Sequence, residues 1–174
     1  MVNTAKYRVF IGLGSNLGHR ESHLNHALKA LRVHPEFSNL LVSSFYETSP
    51  VDAAGPDYLN AVAAFDTELP SDAIHAWLKA EEDKAGRKRS FAGAPRIIDL
   101  DLLYHGASVV KTHDLQIPHV RLHQRAFVLV PLCEIAPGFN HPVLQKTSRQ
   151  LLDALPPADL GAVKNYEKYP QSAV

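Results

Sequence analysis

Two aspartates, Asp99 and Asp101, stand at i and i+2 inside the apolar, β-branched segment PRIIDLDLL, Pro95 to Leu103. In a strand both would point to one face with Cα atoms about 6.6 Å apart, close enough to grip one or two divalent cations. Asp is disfavoured in strands, and neighbouring carboxylates repel unless something positive lies between them. The pattern asks for a metal. The competing reading is a strand whose outer face is simply solvated, as one face of an antiparallel sheet often is. Two carboxylates completed by water and phosphate oxygens suit Mg²⁺, whereas no HExxH, CxxC or tight histidine cluster points to zinc. Immediately upstream, Arg87, Lys88, Arg89 and Arg96 place four cations on the loop RKRSFAGAP and its junction with the strand. Such a loop could close over a polyphosphate and offset the charge that shifts during transfer.

The elements that must position these groups follow from periodicity. Arg8 to Leu13 reads as a strand running into GLGSNLG, Gly12 to Gly18. That segment is GxGxxxG, without the Lys and Ser/Thr of a P-loop, so it predicts a tight strand-to-helix turn with Asn16 lining a pocket. Leu24, Ala27, Leu28 and Leu31 mark an amphipathic helix ending before Pro35. Leu41 to Thr48 and Leu59 to Thr67 read as strands joined by a long loop, Ser49 to Asp57. Ser71 is the expected N-cap of a second helix with Ile74, Trp77 and Leu78 buried, and Gly86 stops it. The strand Arg96 to Tyr104 should bury Ile98, Leu100, Leu102 and Tyr104 against the helices, leaving Asp99 and Asp101 on the other face. Short strands are expected at Ser108 to Lys111 and Leu115 to Ile117, helix at Arg125 to Val130 ending before Pro131, and a last helix at Ser148 to Leu155. The tail 156–174 is expected on the surface.

The order β-α-β-β-α-β predicts an α+β fold, a ferredoxin-like α/β sandwich with helices packed on a mostly antiparallel sheet. At 174 residues, without repeats, the chain is expected to form one domain, 1–174. Lys plus Arg balance Asp plus Glu at 18 each, which removes any electrostatic reason to expect nucleic-acid or membrane partners. The single cysteine, Cys133, excludes an intrachain disulfide and suits a reducing compartment; with no apolar run of membrane length, the expected location is cytoplasmic.

Several segments in order, GLGSNLG, SSFYETSPV, PDYLNA, GRKR, PRIIDLDLL, IPH and RAFVLVPLCEIAPG, resemble the 6-hydroxymethyl-7,8-dihydropterin pyrophosphokinases of folate biosynthesis over residues 8–142. The resemblance implies transfer of the β,γ-pyrophosphoryl group of ATP to the pterin hydroxymethyl oxygen. It implies two Mg²⁺ ions on Asp99 and Asp101, with Arg87 and Arg96 also catalytic. A pterin pocket would comprise Thr48, Ser49, Val51, Tyr58, Asn60 and Phe127, and nucleotide contacts Glu82, Arg89, Leu102, His119 and Arg125. The implied partners are small molecules, and the implied state is a monomer. Whether Asp101 also accepts the hydroxyl proton, or metal activation suffices, is left open. One departure is local: where the family commonly has RWGPR this chain has AGAPR, Ala92 to Arg96, so Phe91 or Arg89 would have to take over part of the lid. Two other classes are compatible with the acidic pair and the fold, a metal-dependent phosphodiesterase and a non-catalytic ferredoxin-like ligand-binding module.

Overall fold

The computed structural model describes residues 6–50, 55–86 and 97–167. Strand β1, Tyr7–Ser15, runs straight through Gly12 and Gly14, which are therefore strand residues and not the turn expected of them. The turn comes later, at Gly18 with φ +68°, and leads into helix α1, Arg20–Val33. Its apolar stripe of Leu24, Ala27, Leu28 and Leu31 is buried as its spacing requires. The expected single strand at 41–48 is divided into β2, Ser38–Val42, and β3, Phe45–Thr48. The interruption falls at Ser43, whose N–H donates to the Val62 carbonyl at 2.9 Å while its hydroxyl accepts from the Val62 N–H at 3.0 Å. Strand β4, Tyr58–Thr67, precedes helix α2, Ser71–Lys84. Pro70, not Ser71, is the N-cap, and no side chain caps that end. Trp77 is only partly buried, at the rim of the core.

Strand β5, Asp99–His105, carries the acidic pair. A short ribbon of β6, Val110–Lys111, and β7, Gln116–Ile117, follows, then a 3₁₀ turn and helix α3, Ala126–Ile135. Contrary to expectation, α3 continues through Pro131: the lost hydrogen bond and ring clash cost a few kcal/mol, of the same order as the burial of Leu129, Leu132 and Cys133 on the continuing face. Helix α4, Ser148–Asp153, starts at a capping box made by Thr147 and Gln150. Within the tail, the described residues form helix α5, Pro157–Gly161, and strand β8, Lys164–Glu167. Strand β8 pairs with β3 and extends the sheet.

Among the described residues the main sheet has six strands, ordered β5-β1-β4-β3-β8 with β2 also on β4; all its pairings are antiparallel. With α1 and α2 on one face, this is the ferredoxin-like arrangement. Two cores result. One fills the space between the sheet and α1 and α2, from Val9, Ile11, Leu13, Ala63 and Phe65 to Leu24, Leu28, Ile74 and Leu78. The second lies on the opposite face, where α3 and α4 cover Phe10, Val62, Ala64, Leu103 and Tyr104.

Strict alternation fails once along β5, and this corrects the expectation for Tyr104. Leu102 pairs with Ile11 but Tyr104 pairs with Phe10, so Leu103 is an extra residue in a bulge. Leu100 and Leu102 face α1 and α2, whereas Leu103 and Tyr104 both fall in the second core.

Candidate active site

The register places the functional side chains. Directly opposed residues of an antiparallel sheet share a face. Asp99 opposes Gly14, Gly14 opposes Asn60, and Asn60 opposes Tyr46, a row crossing β5, β1, β4 and β3. The next row is Asp101, Gly12 and Val62. Thr48 opposes Tyr58, two residues along from Tyr46 and Asn60 and so on the same face. Asp99, Asp101, Asn60, Thr48 and Tyr58 thus converge on the face that α3 and α4 cover farther along. Two strand spacings of about 4.8 Å separate the backbones of Asp99 and Asn60, and the strand between them presents only Gly12 and Gly14. Glycines here make a floor without side chains.

Gly14 also permits the close approach of its neighbours. A Cβ at that position would lie 3.1 Å from Asn60 Oδ1 and 3.6 Å from Tyr58 Cδ1. Asn60 is 5 % exposed, and its amide Nδ2 donates to Thr48 Oγ1 at 2.8 Å, the latter residue being 6 % exposed. Two buried polar side chains are therefore fixed against each other, with acceptor and donor capacity left on the amide. Ser49 follows on the exposed side of Thr48. The far end of the loop is braced from below: Asn16 Nδ2 donates to Pro56 O at 3.1 Å, and Arg20 donates to Asp57 O at 2.8 Å while pairing with Glu47 at 2.6 Å. Asn16 is fully buried and makes this brace.

On the other side of the floor, the N-cap of α3 is Arg125, whose guanidinium lies 5.4 Å from the Phe127 ring centroid. Burial lowers the Arg125 pKa, and Asp101 and Asp99 oppose that shift, which puts this cation within electrostatic reach of both carboxylates. His119 is held by its own N–H donating to Leu103 O at 3.0 Å, and its Nδ1 accepts from the Arg121 N–H at 3.3 Å. Burial, then the Arg125 charge, push the His119 imidazole down to about 4, against the pull of Asp99. At neutral pH it is an uncharged ring with Nδ1 as acceptor, leaving Nε2–H as a donor.

Two expected nucleotide residues are not brought to this face. Leu102 is buried in the core beneath α1 and α2, and Glu82 of α2, 3 % exposed, accepts from the Leu100 N–H at 2.8 Å. That bond fixes the stretch of β5 between the two aspartates. Val51, Arg87, Arg89 and Arg96, and the proposed lid residue Phe91, lie outside the described residues. Among the described residues no group of three or more His, Cys, Asp or Glu side chains could hold a metal unaided. The donor set of two carboxylates on one strand face fits a hard cation that completes its shell with water and phosphate oxygens. Sequence reasoning missed the glycine floor. Extending the period-two pattern of β1 through Gly14 to Ser15 would have exposed it.

Comparison with known proteins agrees with this geometry. The 7,8-dihydro-6-hydroxymethylpterin-pyrophosphokinase (HPPK) family matches over residues 10–137. A 2-amino-4-hydroxy-6-hydroxymethyldihydropteridine pyrophosphokinase of Pseudomonas aeruginosa is 39 % identical over 137 residues, 78 % of this chain and 84 % of that protein. The folic acid synthesis protein FOL1 of Dictyostelium discoideum is 34 % identical over 155 residues, 88 % of this chain but 23 % of that much longer protein. In fold, the chain resembles Plasmodium falciparum HPPK-DHPS with a TM-score of 0.67 at 14 % identity, covering 88 % of this chain and 43 % of that one. Among the described residues no helix is long and apolar enough to cross a membrane. With a match spanning β1 to the end of α3 and carrying the acidic pair, the glycine floor and the Asn60–Thr48 pair, the chain belongs to the 7,8-dihydro-6-hydroxymethylpterin-pyrophosphokinase family.

Proposed function

We infer that this chain transfers the β,γ-pyrophosphoryl group of ATP to the hydroxyl of 6-hydroxymethyl-7,8-dihydropterin, releasing AMP. The observation that carries this reading is the placement on one sheet face of a carboxylate pair and a fixed amide–hydroxyl pair, separated by the bare backbone of Gly12 and Gly14. The pterin lies over that floor. Asn60 and Thr48 read its amide edge, Tyr58 and Phe127 supply aromatic surface, and Ser49 and Val51 add further pterin contacts.

The hydroxymethyl oxygen then points towards β5. Asp99 and Asp101 would hold two Mg²⁺ ions, which would supply positive charge to offset the negative charge spreading over the transferring group. Arg125 and the neutral His119 bind phosphate oxygens from the α3 side, and Arg87, Arg89 and Arg96 add cations for the same phosphates. The O–P bond to the β-phosphorus forms as the bond from that phosphorus to the α,β-bridging oxygen breaks, and the hydroxyl proton leaves to solvent or to Asp101. Glu82 and Leu102 act from beneath, setting the strand that carries the carboxylates. The described elements work as one domain, and the chain acts as a cytoplasmic monomer on small molecules alone. The phosphodiesterase and ligand-sensor readings have no residue in their favour beyond the acidic pair and the fold.

Product analysis tests this reading. ATP, Mg²⁺ and the hydroxymethyl pterin should yield AMP and pterin diphosphate in equal amounts. Release of ADP, or AMP formation without the pterin, would overturn it.

A further inference from the structure

Glu134 stands near the C-terminal end of α3 and is an exposed residue. Its carboxylate nevertheless folds back onto the sheet. The Ser44 N–H donates to both oxygens, at 3.0 and 2.9 Å; the Ser44 hydroxyl donates to Oε1 at 2.8 Å; and the Tyr46 hydroxyl donates to Oε2 at 2.7 Å. Bonds to an ionised acceptor are the stronger kind, and this one gathers three donor groups. Ser44 is buried at the break between β2 and β3, so the anchor point is itself fixed. Burial, then the hydrogen bond to Glu134, raise the Tyr46 pKa.

The anchored helix delivers pocket residues at its other end. Phe127 and Glu134 are seven residues apart, two turns and about 10 Å along one stripe of α3. Ser44, just before β3, and Thr48, at its end, are four residues apart, about 13 Å if extended. Helix α3 packs on both β3 and β4. Glu134 is clamped over Ser44 and Tyr46 at one end of the helix, and Phe127 stands two turns earlier, beside Arg125 at the N-cap, so the clamp fixes how far the helix can carry Phe127 relative to the sheet. Tyr46 also opposes Asn60 across the sheet.

We propose that Glu134 is a positioning residue for pterin binding: by tying α3 to Ser44 and Tyr46 it sets the gap between Phe127 and the Thr48–Asn60 pair. The proposal rests on the pterin pocket described under Proposed function. It acts on the ring's slot and not on the phosphate site, so its loss should split the two substrates.

Steady-state kinetics of wild type, Glu134→Ala, Glu134→Gln, Phe127→Ala and the Glu134→Ala/Phe127→Ala double variant test it, with Leu152→Ala of α4 as a control for general loosening of the same core. Glu134→Ala should raise the pterin KM about tenfold and leave the ATP KM within about twofold, and Glu134→Gln, whose carbonyl oxygen can still accept from Ser44 while its NH2 donates to the Tyr46 hydroxyl oxygen, should recover most of the loss. In the Phe127→Ala background, Glu134→Ala should add less than about twofold. An unchanged pterin KM in Glu134→Ala would overturn the proposal. So would equal rises in both KM values matching those of Leu152→Ala, or effects of Glu134→Ala and Phe127→Ala that simply multiply. A normal pterin KM in Phe127→Ala alone would overturn the pocket reading itself, and this proposal with it.

Discussion

Gly14→Ala should leave the enzyme close to wild type in stability and make it worse at binding its pterin. Gly14 lies in β1 outside the left-handed region, so alanine meets no backbone strain there. Removing the glycine's excess freedom in the unfolded chain is worth about 0.4–1 kcal/mol. The new Cβ would sit 3.1 Å from Asn60 Oδ1, closer by a few tenths of an ångström than ordinary contact. Asn60 is buried and tied to Thr48 at 2.8 Å, so it gives way only by stretching that bond or turning its amide away from the ligand. A displacement of about 1 Å can cost about a hundredfold, so a few tenths of an ångström should cost about three- to tenfold, or about 0.6–1.4 kcal/mol. Calorimetric titration with the pterin and a non-hydrolysable ATP analogue would read the loss, and urea unfolding would read the stability. Gly12→Ala is the companion: its Cβ meets only the Leu103 side chain, at 3.7 Å, so its effect on pterin affinity should be smaller. Undiminished pterin affinity in Gly14→Ala, or a loss equalled by Gly12→Ala, would refute the reasoning.

Other parts of the structure make equally definite claims. The His119 imidazole is held down to about 4, below its unfolded value, so the unfolded chain takes the proton first on acidification. The stability from keeping His119 neutral is whole above about pH 6.5 and falls as pH drops towards about 4, by about 2 kcal/mol at about pH 5. Urea titrations without nucleotide or metal should show this loss in wild type and less of it in His119→Gln, and identical pH dependence would contradict it. Cys133 is buried and its thiol is pushed up to about 11, so a colourimetric thiol reagent at about pH 8 should react only on unfolding. Rapid labelling of the native protein would show that the second core is open. Leu28→Ala in α1 should cost about 2–5 kcal/mol by leaving a cavity under the sheet, measured by the same unfolding; a loss below about 1 kcal/mol would mean that helix packs loosely.

Much of the fold could be read from spacing alone, because α1 repeats its apolar residues at an unambiguous helical period and β4 is a short apolar run bounded by polar and turn residues. The acidic pair was legible for the same reason, as carboxylates at i and i+2 in a β-branched run announce a shared face. What escaped depended on partners distant in sequence. The Leu103 bulge is visible only once β5 is paired with β1, and it alone moves Tyr104 to the other core. Pro131 looked like a helix end because its local cost is plain, whereas the burial that offsets it comes from strands far earlier in the chain. The glycine floor was hidden by the habit of reading GxG as a turn. The Glu134 anchor joins residues ninety positions apart, and nothing in PLCEIAPG marks that carboxylate as different from a solvated one.

The measurement that bears most directly on the central claim is the rate of AMP formation in Asp101→Asn at saturating ATP, pterin and Mg²⁺. Asparagine keeps the size of the side chain in β5 and removes one of the two charges that face Arg125. If the pair holds the metal for pyrophosphoryl transfer, the rate should fall by far more than tenfold while the unfolding midpoint stays close to wild type. A rate within about tenfold of wild type, about 1.4 kcal/mol of barrier, would contradict the assignment of Asp99 and Asp101 as the metal platform.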